Sequence, residues 1–338
     1  MKKALITGIA GQDGYFLSQL LLGKGYEVIG IVRRNRDMRL GALDRLPKEL
    51  RDSIDIKHGD VTDSQFMNGV VKSSEPEEVY HLAAQSYVGY SFHNPQATFE
   101  TNIMGTLNAV NAVRDISPES KFYFAATSEL FGTPENAPQD EHTQFMPRSP
   151  YAISKLAGYW LTKNYREAYK IFATNGILFN HESEVRGPEF VTRKISLAVA
   201  RMHQGSKEVL ELGNLNSRKD WGYAKDYVEG MWLMMQHKEP DDFILGTGKL
   251  HTVRDFVEGA FAAAGMDVEW KGDGMNEKGF HNGREVVRVN QKFFRPLEAD
   301  NMLANYDKAK HALGWKPKTT FSELVKLMVE SDIEKSGH

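Results

Sequence analysis

The sequence predicts an α/β fold built on a doubly wound parallel sheet, with a smaller, interleaved α/β region in the C-terminal half. Two observations support this class. Short apolar runs alternate with helical patterns through the first half, and a glycine-rich turn, GIAGQDG, directly follows the first apolar run. Alternating strands and helices form parallel βαβ units. Such sheets bind ligands at the carboxyl ends of their strands, so we expect functional residues to follow strands.

Six short apolar runs indicate the strands of this sheet. They cover residues 3–7, 27–32, 54–58, 78–82, 122–126 and 174–179. Apolar residues with helical spacing predict helices at 64–72 and 98–114, and amphipathic core-packing helices at 253–264 and 321–329. Residues 271–283 are rich in Gly, Asn and charge, which predicts a loop.

The glycine turn joins the first strand to a helical pattern that begins near Tyr15. Its glycines, Gly8, Gly11 and Gly14, are spaced three and three. In a strand, turn and helix of this kind, backbone N–H groups and a helix N-terminus receive the pyrophosphate of a dinucleotide. An ordinary tight turn is the alternative. The position one strand in from the N-terminus favours the cofactor interpretation.

A second motif lies at residues 148–159, RSPYAISKLAGY. A helix that begins after the Ser-Pro turn places Tyr151 and Lys155, four residues apart, on one face. An ammonium beside a phenol favours the phenolate, so we expect Lys155 to lower the pKa of Tyr151 and let it accept a proton near neutral pH. Alone, the pair is also typical of a half-buried ring and a solvated amine on an amphipathic helix.

Together, TGxxGxxG at 7–14 and YxxxK at 151–155 resemble the extended short-chain dehydrogenase/reductase family. Further segments resemble the GDP-mannose 4,6-dehydratases within it, over nearly the whole chain. They are VRR at 32–34, TSELFG at 127–132, NGILFNHES at 175–183, FVTRKI at 190–195, DWGYAKDYV at 220–228 and FFRPLEAD at 293–300. The resemblance implies an NADP-binding Rossmann domain at 1–180 and a region at 181–338 that mainly binds the nucleotide sugar, with some segments returning to the sheet domain.

The resemblance also implies the reaction: GDP-mannose becomes GDP-4-keto-6-deoxy-mannose by internal hydride transfer through bound NADP. Tyr151 takes the C4 hydroxyl proton, Lys155 holds the nicotinamide ribose, and Thr127 hydrogen-bonds the C4 oxygen. Glu129 removes the C5 proton and protonates the departing C6 hydroxyl. The alternative role for Glu129 is a helix N-cap. Because a reductase has no need of this acid, Glu129 favours the dehydratase.

Arg33 and Arg34 end the second strand, where an arginine matches a ribose 2′-phosphate, so NADP is favoured over NAD. Solvated surface charges are the alternative. Asp60 is expected to meet the adenine, whereas Asp63 is better placed to cap the next helix. The other implied cofactor contacts are Gly8, Gly11, Gln12, Asp13, Gly14, Val61, Leu82, Ala83, Ala84, Ser86, Tyr151, Lys155, His181 and Arg186.

The implied substrate contacts are Ser86, Glu129, Asn180, Lys194, Arg218, Lys219, Arg295 and Glu298. Arg193 and Lys194 start a predicted helix, where side chains and helix dipole act together on a diphosphate. Two segments of the substrate region depart from the family pattern. Lys219 stands where the family has an arginine before Asp-Trp, and residues 184–185 read Glu-Val in a segment where the family has a proline.

Composition excludes several classes of function. A net charge of −3 gives no indication of nucleic acid or an anionic membrane, and the absence of cysteine rules out disulfides and thiolate sites. His181 and Glu182 are adjacent and lack the spaced ligands of a metal site, so no metal is expected. No apolar stretch approaches about 18 residues. We therefore expect a soluble, cytoplasmic protein, and the resemblance implies a homodimer or homotetramer.

Three alternatives remain open. The same dehydration of a GDP-manno-heptose keeps every residue role and changes the sugar. An NADPH-dependent keto-sugar reductase or epimerase shares the fold and the Tyr/Lys pair, and a reductase would consume NADPH stoichiometrically. A binding module that kept only the nucleotide pocket predicts lost catalytic residues, whereas Thr127, Glu129, Tyr151 and Lys155 are all present.

Overall fold

A computed structural model describes residues 1–34, 39–134, 136–294 and 302–336. The strands are β1 (Lys3–Thr7), β2 (Glu27–Val32), β3 (Asp55–His58), β4 (Glu78–His81), β5 (Lys121–Thr127), β6 (Ala173–Leu178), β7 (Asn180–Glu182), β8 (Leu210–Leu212), β9 (Arg218–Lys219), β10 (Trp221–Tyr223), β11 (Asp242–Leu245), β12 (His251–Thr252), β13 (Glu269–Lys271), β14 (Lys278–His281) and β15 (Arg284–Val289).

Helices connect these strands. The α-helices are α1 (Gln12–Gly23), α2 (Lys48–Asp52), α3 (Ser64–Ser74), α4 (Val88–His93), α5 (Pro95–Phe99), α6 (Gly105–Ile116), α7 (Pro150–Tyr169), α8 (Val191–His203), α9 (Ala224–Gln236), α10 (Val253–Ala263), α11 (Asp307–Leu313) and α12 (Phe321–Ser336). Single 3₁₀ turns are formed by Gly41–Arg45, Ser128–Leu130, Gly274–Asn276 and Gln291–Phe293, and a π-helical turn by Glu100–Met104.

The central sheet has seven strands in the order β11-β6-β5-β4-β1-β2-β3, and every pairing in it is parallel. The predicted doubly wound parallel sheet is confirmed. Each of the six predicted strands is present, with bounds that match or differ by one residue at one or both ends. The direction of strand order reverses between β1 and β4, which places a ligand crevice at the carboxyl ends of these strands.

Helices cover both faces of the sheet, which is why its strands read as continuous apolar runs. Leu5 of β1 packs on the face covered by α3, α6 and α7, and Ile6 packs on the opposite face with α1, α8 and α9. Side chains alternate between the two faces of a strand, so both faces of β1 contribute to a hydrophobic core.

The last strand of the sheet, β11, comes from far along the chain and pairs with β6. Its first residue, Asp242, is buried and accepts hydrogen bonds from the Arg166 guanidinium at 2.9 Å and from the Tyr159 hydroxyl at 2.9 Å. Asn175 of β6 adds a 2.8 Å hydrogen bond to the same carboxylate. A buried charge is stable only when it is paired in this way, so these contacts fix β11 to α7 and β6.

The C-terminal half adds small sheets to the central one. β7 pairs with β10, β9 with β12, and β8, β15, β14 and β13 form a four-stranded sheet. The prediction of a loop at 271–283 is wrong, because β14 lies within it and pairs with both β13 and β15. Asn282 and Gly283 have φ of +48° and +75°, as the turn of a tight hairpin requires. The prediction failed because the polar, glycine-rich composition of this segment is typical of a loop, although its Asn-Gly pair is also typical of a hairpin turn.

Candidate functional site

A cavity of about 500 Å³ lies at the carboxyl ends of β1 to β6. Many residues singled out in the sequence line this cavity. They are Gly8, Gly11, Gln12, Asp13, Gly14, Arg33, Asp60, Val61, Leu82, Ala83, Ala84, Ser86, Thr127, Glu129, Tyr151, Lys155, Asn180, His181 and Arg186. The structure therefore brings the glycine turn and the Tyr/Lys motif together, although about 140 residues separate them in the chain.

The glycine turn leaves no room for side chains. Gly8 has φ of +69°, and a Cβ there would lie 2.7 Å from the backbone of Ala83. A Cβ on Gly14 would lie 2.3 Å from the carbonyl oxygen of Ile9. The turn therefore leads directly into the N-terminus of α1, a backbone surface that fits the pyrophosphate of a dinucleotide.

Charged residues surround the far end of the cavity, after β2 and β3. Arg33 is 79% exposed, and its Nε lies 3.0 Å from Asp60. Asp60 also accepts hydrogen bonds from the N–H and hydroxyl of Thr62, while Asp63 caps α3, as predicted. Arg34 is exposed and does not line the cavity. An exposed guanidinium at the end of β2 can turn toward a ribose substituent.

The Tyr/Lys motif lies on the buried face of α7. Ser149 caps this helix by accepting a 3.0 Å hydrogen bond from the N–H of Ala152, and Pro150 occupies the first turn. The predicted helix start is thus confirmed. Tyr151 is hydrogen-bonded to Thr127, and Lys155 donates a 2.8 Å hydrogen bond to the carbonyl oxygen of Ala125.

Burial dominates the electrostatics of this pair. It raises the pKa of Tyr151 to about 12, with the charge of Glu129 acting in the same direction and the Thr127 hydrogen bond against it. Burial also lowers the pKa of Lys155 to about 8, opposed by the charge of Asp13. The expected lowering of the Tyr151 pKa by Lys155 is therefore not produced in the protein alone, because desolvation of the phenolate outweighs any neighbouring cation.

Glu129 lies in the 3₁₀ turn that directly follows β5. The cap of this turn is Thr127, whose hydroxyl accepts a hydrogen bond from the N–H of Glu129 at 3.2 Å. The N-cap alternative for Glu129 is therefore wrong. Glu129 is only 8% exposed and lines the cavity beside Tyr151, so its carboxylate is positioned in the site.

An ion pair connects the glycine turn to the strand after β6. Asp13 accepts from Nε2 of His181, with both carboxylate oxygens at 3.0 Å. Burial opposes the charge of Asp13, but His181, and to a lesser extent Arg186, outweigh it and hold the pKa of Asp13 below its usual value. For His181, burial opposes the charge and Asp13 outweighs it, so its pKa is raised. Each member of the pair therefore favours the charged form of the other.

Arg186 lies at the rim between cavity and solvent. Its guanidinium stacks 3.5 Å from the ring centre of Phe190, and its Nε lies 3.1 Å from Glu182 in an ion pair that lacks hydrogen-bond geometry. Phe190 lines the cavity but was not predicted. Other lining residues that the sequence did not indicate include Ala10, Ile31, Val88 and Thr101. Ser128, which the sequence placed directly after a predicted strand, also lines the cavity.

Several predicted substrate residues lie outside this cavity. Lys194 donates a hydrogen bond to the carbonyl oxygen of Glu211, and its ammonium lies 3.5 Å from the ring centre of Phe293. Arg218 and Lys219 form β9, away from the lining. Arg295 and Glu298 lie outside the described residues.

The expectation that Arg193 binds a diphosphate is wrong. Its guanidinium is buried and forms an ion pair with the equally buried Asp332 of α12. Among the described residues, no group of three or more His, Asp and Glu side chains is arranged to hold a metal ion. In the same part of the chain, no helix has the length and apolar character needed to cross a bilayer.

Comparison with known proteins agrees with the geometry of the site. The family model described as GDP-mannose 4,6 dehydratase matches residues 5–328. The chain belongs to the GDP-mannose 4,6-dehydratase family. Among curated relatives, GDP-mannose 4,6 dehydratase 2 of Caenorhabditis elegans is 48% identical over 98% of this chain and 89% of its own length. Human GDP-mannose 4,6 dehydratase is 47% identical over 98% of this chain and 91% of its own length.

Solved structures place the fold beside other nucleotide-sugar enzymes. The UDP-glucose 4-epimerase of Thermus thermophilus, solved with NAD, superposes with a TM-score of 0.81 and 25% identity, covering 98% of each chain. The GDP-mannose 4,6-dehydratase family thus shares its architecture with an epimerase, and the residues of the site, more than the fold, separate the two reactions.

The departure at 184–185 from the usual pattern of the GDP-mannose 4,6-dehydratase family has a structural explanation. Val185 is buried in the core, 7% exposed. The Glu184 carbonyl oxygen accepts a 2.7 Å hydrogen bond from Arg45, and its carboxylate lies 3.4 Å from the Tyr223 hydroxyl. Glu184 therefore connects the segment after β2 to β10, and its carboxylate has a partner outside the cavity lining.

Proposed function

We propose that this protein is an NADP-dependent GDP-mannose 4,6-dehydratase, which converts GDP-mannose to GDP-4-keto-6-deoxy-mannose and water. The observation that carries the proposal is the placement of the Glu129 carboxylate beside Tyr151, Thr127 and Lys155 in one cavity. Oxidation alone needs the tyrosine and the lysine. Loss of water also needs an acid that can serve C5 and C6 of the sugar.

The protein's own groups move the protons at C4. Tyr151 takes the proton of the C4 hydroxyl, and Thr127, its hydrogen-bond partner, holds the C4 oxygen. Lys155 lies one helical turn further along α7, where burial lowers its pKa to about 8 and leaves it mainly charged at pH 7. Its positive charge favours the phenolate of Tyr151 in the reacting complex. When bound, the nicotinamide supplies the hydride chemistry, taking a hydride at C4 and returning it at C6.

Glu129 handles the protons of the elimination. A ketone at C4 makes the C5 proton acidic, and the Glu129 carboxylate removes it. The resulting acid then protonates the C6 hydroxyl, which leaves as water. Removal of the C5 proton and protonation of the departing hydroxyl therefore cancel at Glu129. When the hydride returns to C6, C5 takes up one proton, which balances the proton that Tyr151 took from the C4 hydroxyl.

We assign the cofactor as NADP in preference to NAD. Support comes from Arg33, whose exposed guanidinium follows β2 beside Asp60. Arg34 is one residue further on and lies outside the cavity lining, so we give Arg33 the larger role. Binding of NADPH and NADH to wild type and Arg33→Ala tests this choice. We expect the variant to lose affinity for NADPH and to keep its affinity for NADH.

On the sugar side, Ser86 and Asn180 line the cavity and are proposed substrate contacts. The roles of Lys194, Arg218, Lys219, Arg295 and Glu298 toward the nucleotide diphosphate stay predictions. A diphosphate can be met by side chains beyond the cavity, since a GDP-sugar is longer than the reacting hexose.

We also propose a homodimer formed by the outer face of the π-helical turn and α7. Met104, Ile153 and Trp160 are 46%, 47% and 51% exposed on these neighbouring elements, and clustered exposed apolar side chains are typical of interfaces. Ile153→Glu should yield monomers in light scattering. Met275→Glu, an exposed apolar residue elsewhere, is the matched control and should not change the mass.

The reaction itself is tested by incubating the purified protein with GDP-mannose and, separately, with a GDP-manno-heptose, without added NADPH. Mass spectrometry should detect loss of water from GDP-mannose. Loss from the heptose alone would change the substrate, and loss from neither would reject a dehydratase. NADPH-dependent reduction of a keto-sugar without dehydration would indicate the reductase class.

The role of Glu129 is tested by Glu129→Gln. We expect cofactor and sugar binding to persist while kcat for water loss falls by roughly 10²- to 10⁴-fold, the usual effect of losing a general acid–base group. Glu167→Gln, an exposed carboxylate on α7, is the control. Retained turnover in Glu129→Gln would remove this residue from the mechanism.

A further inference from the structure

A buried polar cluster joins the start of α1 to β7 and the residue that follows it. Gln12 donates a 3.0 Å hydrogen bond from Nε2 to the carbonyl oxygen of His181 and accepts a 2.7 Å hydrogen bond at Oε1 from the Ser183 hydroxyl. Gln12 is 7% exposed and Ser183 is fully buried. The amide N–H of Gln12 faces an acceptor and its amide oxygen faces a donor, so the orientation of the amide is fixed.

The second half of the cluster is the pair of Asp13 and His181. Nδ1 of His181 lies 2.8 Å from the carbonyl oxygen of Phe179, and Nε2 lies 3.0 Å from both oxygens of Asp13. A carbonyl and a carboxylate only accept, so both ring nitrogens carry hydrogen and His181 is an imidazolium. Its ring stacks on Tyr227 of α9, with centroids 4.8 Å apart. We call Gln12, Asp13, His181 and Ser183 the clasp.

The clasp ties two walls of the cavity together. Gly8, Gly11 and Gly14 form one wall and have no side chains of their own. Within the turn, the Gly11 N–H donates to the Gly8 carbonyl oxygen at 3.0 Å, and the Ala10 carbonyl oxygen accepts at 2.8 Å from the Ala42 N–H in the segment after β2. The opposite wall contains Asn180, at the start of β7. Gln12 and Ser183 are 171 positions apart, so the clasp is a long-range connection between these walls.

We propose that the clasp retains the dinucleotide between the two halves of the catalytic cycle, with Ser183 as a positioning residue that acts through Gln12. This inference rests on the proposed dehydratase function. The hydride removed from C4 must return to C6 of the same sugar. If the dinucleotide dissociated before that return, the keto intermediate could not be reduced at C6. A glycine turn held to the opposite wall by two hydrogen bonds and an ion pair opens less often than one held only locally.

The test measures release of the dinucleotide without any sugar. Wild type and Ser183→Ala are loaded with NADPH and chased with excess NADP, and the loss of bound NADPH fluorescence gives the release rate. We expect release about tenfold faster in Ser183→Ala, the size that one buried hydrogen bond allows. Ser18→Ala is the matched control, because Ser18 is a buried serine of α1 whose hydroxyl donates to the Tyr15 carbonyl. Its release rate should equal that of wild type.

Gln12→Met removes the hydrogen bond to Ser183 from the other side, together with the one to the His181 carbonyl oxygen, and keeps the length of the side chain. If Ser183 acts through Gln12, adding Ser183→Ala to Gln12→Met should produce no further acceleration. Ser183→Thr, which keeps the hydroxyl, should restore slow release. A purely structural role for Ser183 predicts additive effects and a lower Tm in place of this pattern. If Ser183→Ala does not fold, Ser183→Cys, which has a much weaker hydrogen-bond donor in a similar volume, replaces it in the comparison with Ser18→Ala.

Turnover gives a second readout. After gel filtration, Ser183→Ala should need added NADP to dehydrate GDP-mannose and should regain a kcat close to that of wild type when NADP is saturating. An unchanged release rate in both Ser183→Ala and Gln12→Met would overturn the proposal, as would equal acceleration in Ser18→Ala. Because release is measured without sugar, its result can be interpreted even if the protein does not dehydrate GDP-mannose. The two proposals can therefore fail separately.

Discussion

Lys155 donates a 2.8 Å hydrogen bond to the carbonyl oxygen of Ala125, so the lysine ammonium is held against the carboxyl end of strand β5. The ammonium also lies 4.8 Å from the ring centre of Phe124. This position is buried, and burial lowers the pKa of Lys155 to about 8. A group whose pKa is lowered in this way destabilises the folded protein while it is charged.

Lys155→Met should therefore stabilise the protein without cofactor while abolishing its activity. The variant keeps the apolar stem and removes the buried charge, so we expect the free energy of unfolding at pH 7 to rise by roughly 2 kcal/mol. The destabilisation caused by the buried charge of Lys155 is complete below the folded-state pKa of about 8, and it disappears as the pH rises toward 10.5. The difference between variant and wild type, measured by urea denaturation, should thus shrink as the pH rises through this range. A variant less stable than wild type at pH 7 would contradict this prediction.

Asp13→Asn should lower the pKa of His181. In wild type, burial and Arg186 oppose the imidazolium, and Asp13 outweighs them. Without that carboxylate, burial and Arg186 are left unopposed by Asp13, so we expect the His181 pKa to fall. NMR titration of the ring nitrogens measures this change, and exposed His142 is the control. An unaltered His181 titration would show that Asp13 does not maintain its charge.

The ion pair of Asp13 and His181 stabilises the folded protein within a defined range of pH. The pKa of His181 is raised, so its contribution to stability is present below 6.5 and is lost as the pH rises through the folded-state pKa. The pKa of Asp13 is lowered, so its contribution is present above 3.8 and is lost as the pH falls through the folded-state pKa. The stability difference between wild type and Asp13→Asn should therefore decrease on both sides of this window.

Arg193→Met should be strongly destabilising, because it leaves Asp332 buried without its cation. We expect a loss of about 3–5 kcal/mol in the free energy of unfolding. Arg193→Met combined with Asp332→Leu should recover most of it, since both charges are then gone. Denaturant titration of the two variants makes the comparison. Equal stability of the single and double variants would show that the remaining carboxylate carries no penalty.

Gly14→Ala and Gly23→Ala, in the same helix, should have opposite effects. The Cβ at 14 would lie 2.3 Å from the Ile9 carbonyl oxygen, so we expect loss of soluble protein or of NADPH binding. The Cβ at 23 meets nothing within 4 Å. Gly23→Ala should raise the free energy of unfolding by about 0.5–1 kcal/mol, from the better helix propensity of alanine. Thermal unfolding with and without NADPH measures both effects.

Local motifs could be found in the sequence because their determinants lie within a few residues of each other. The glycine turn and the pair of Tyr151 and Lys155 are examples. Contacts between distant segments could not be found in this way. Helix position alone suggested an anion site at Arg193, but its partner Asp332 is 139 positions further on. The partnership of Gln12 with Ser183 likewise depends on how β7 is placed beside α1.

Electrostatics was the least predictable part of the site. Spacing correctly placed Lys155 on the same helix face as Tyr151, and it predicted a lowered tyrosine pKa. The depth at which the phenol is buried decides the sign in the protein alone, and spacing carries no information on depth. Thr127 was predicted to hold the sugar, and its additional role as cap of the turn at Glu129 depends on the backbone bend after β5.

The position of β11 has a consequence for how the protein is made. When a ribosome has synthesised only the first 180 residues, β6 is an open edge and Arg166 lacks the carboxylate of Asp242. The nascent chain must reach Leu245 before the sheet can close. A gene fragment that encodes only the first 180 residues should therefore give an aggregating product, since an unpaired apolar strand edge recruits other chains.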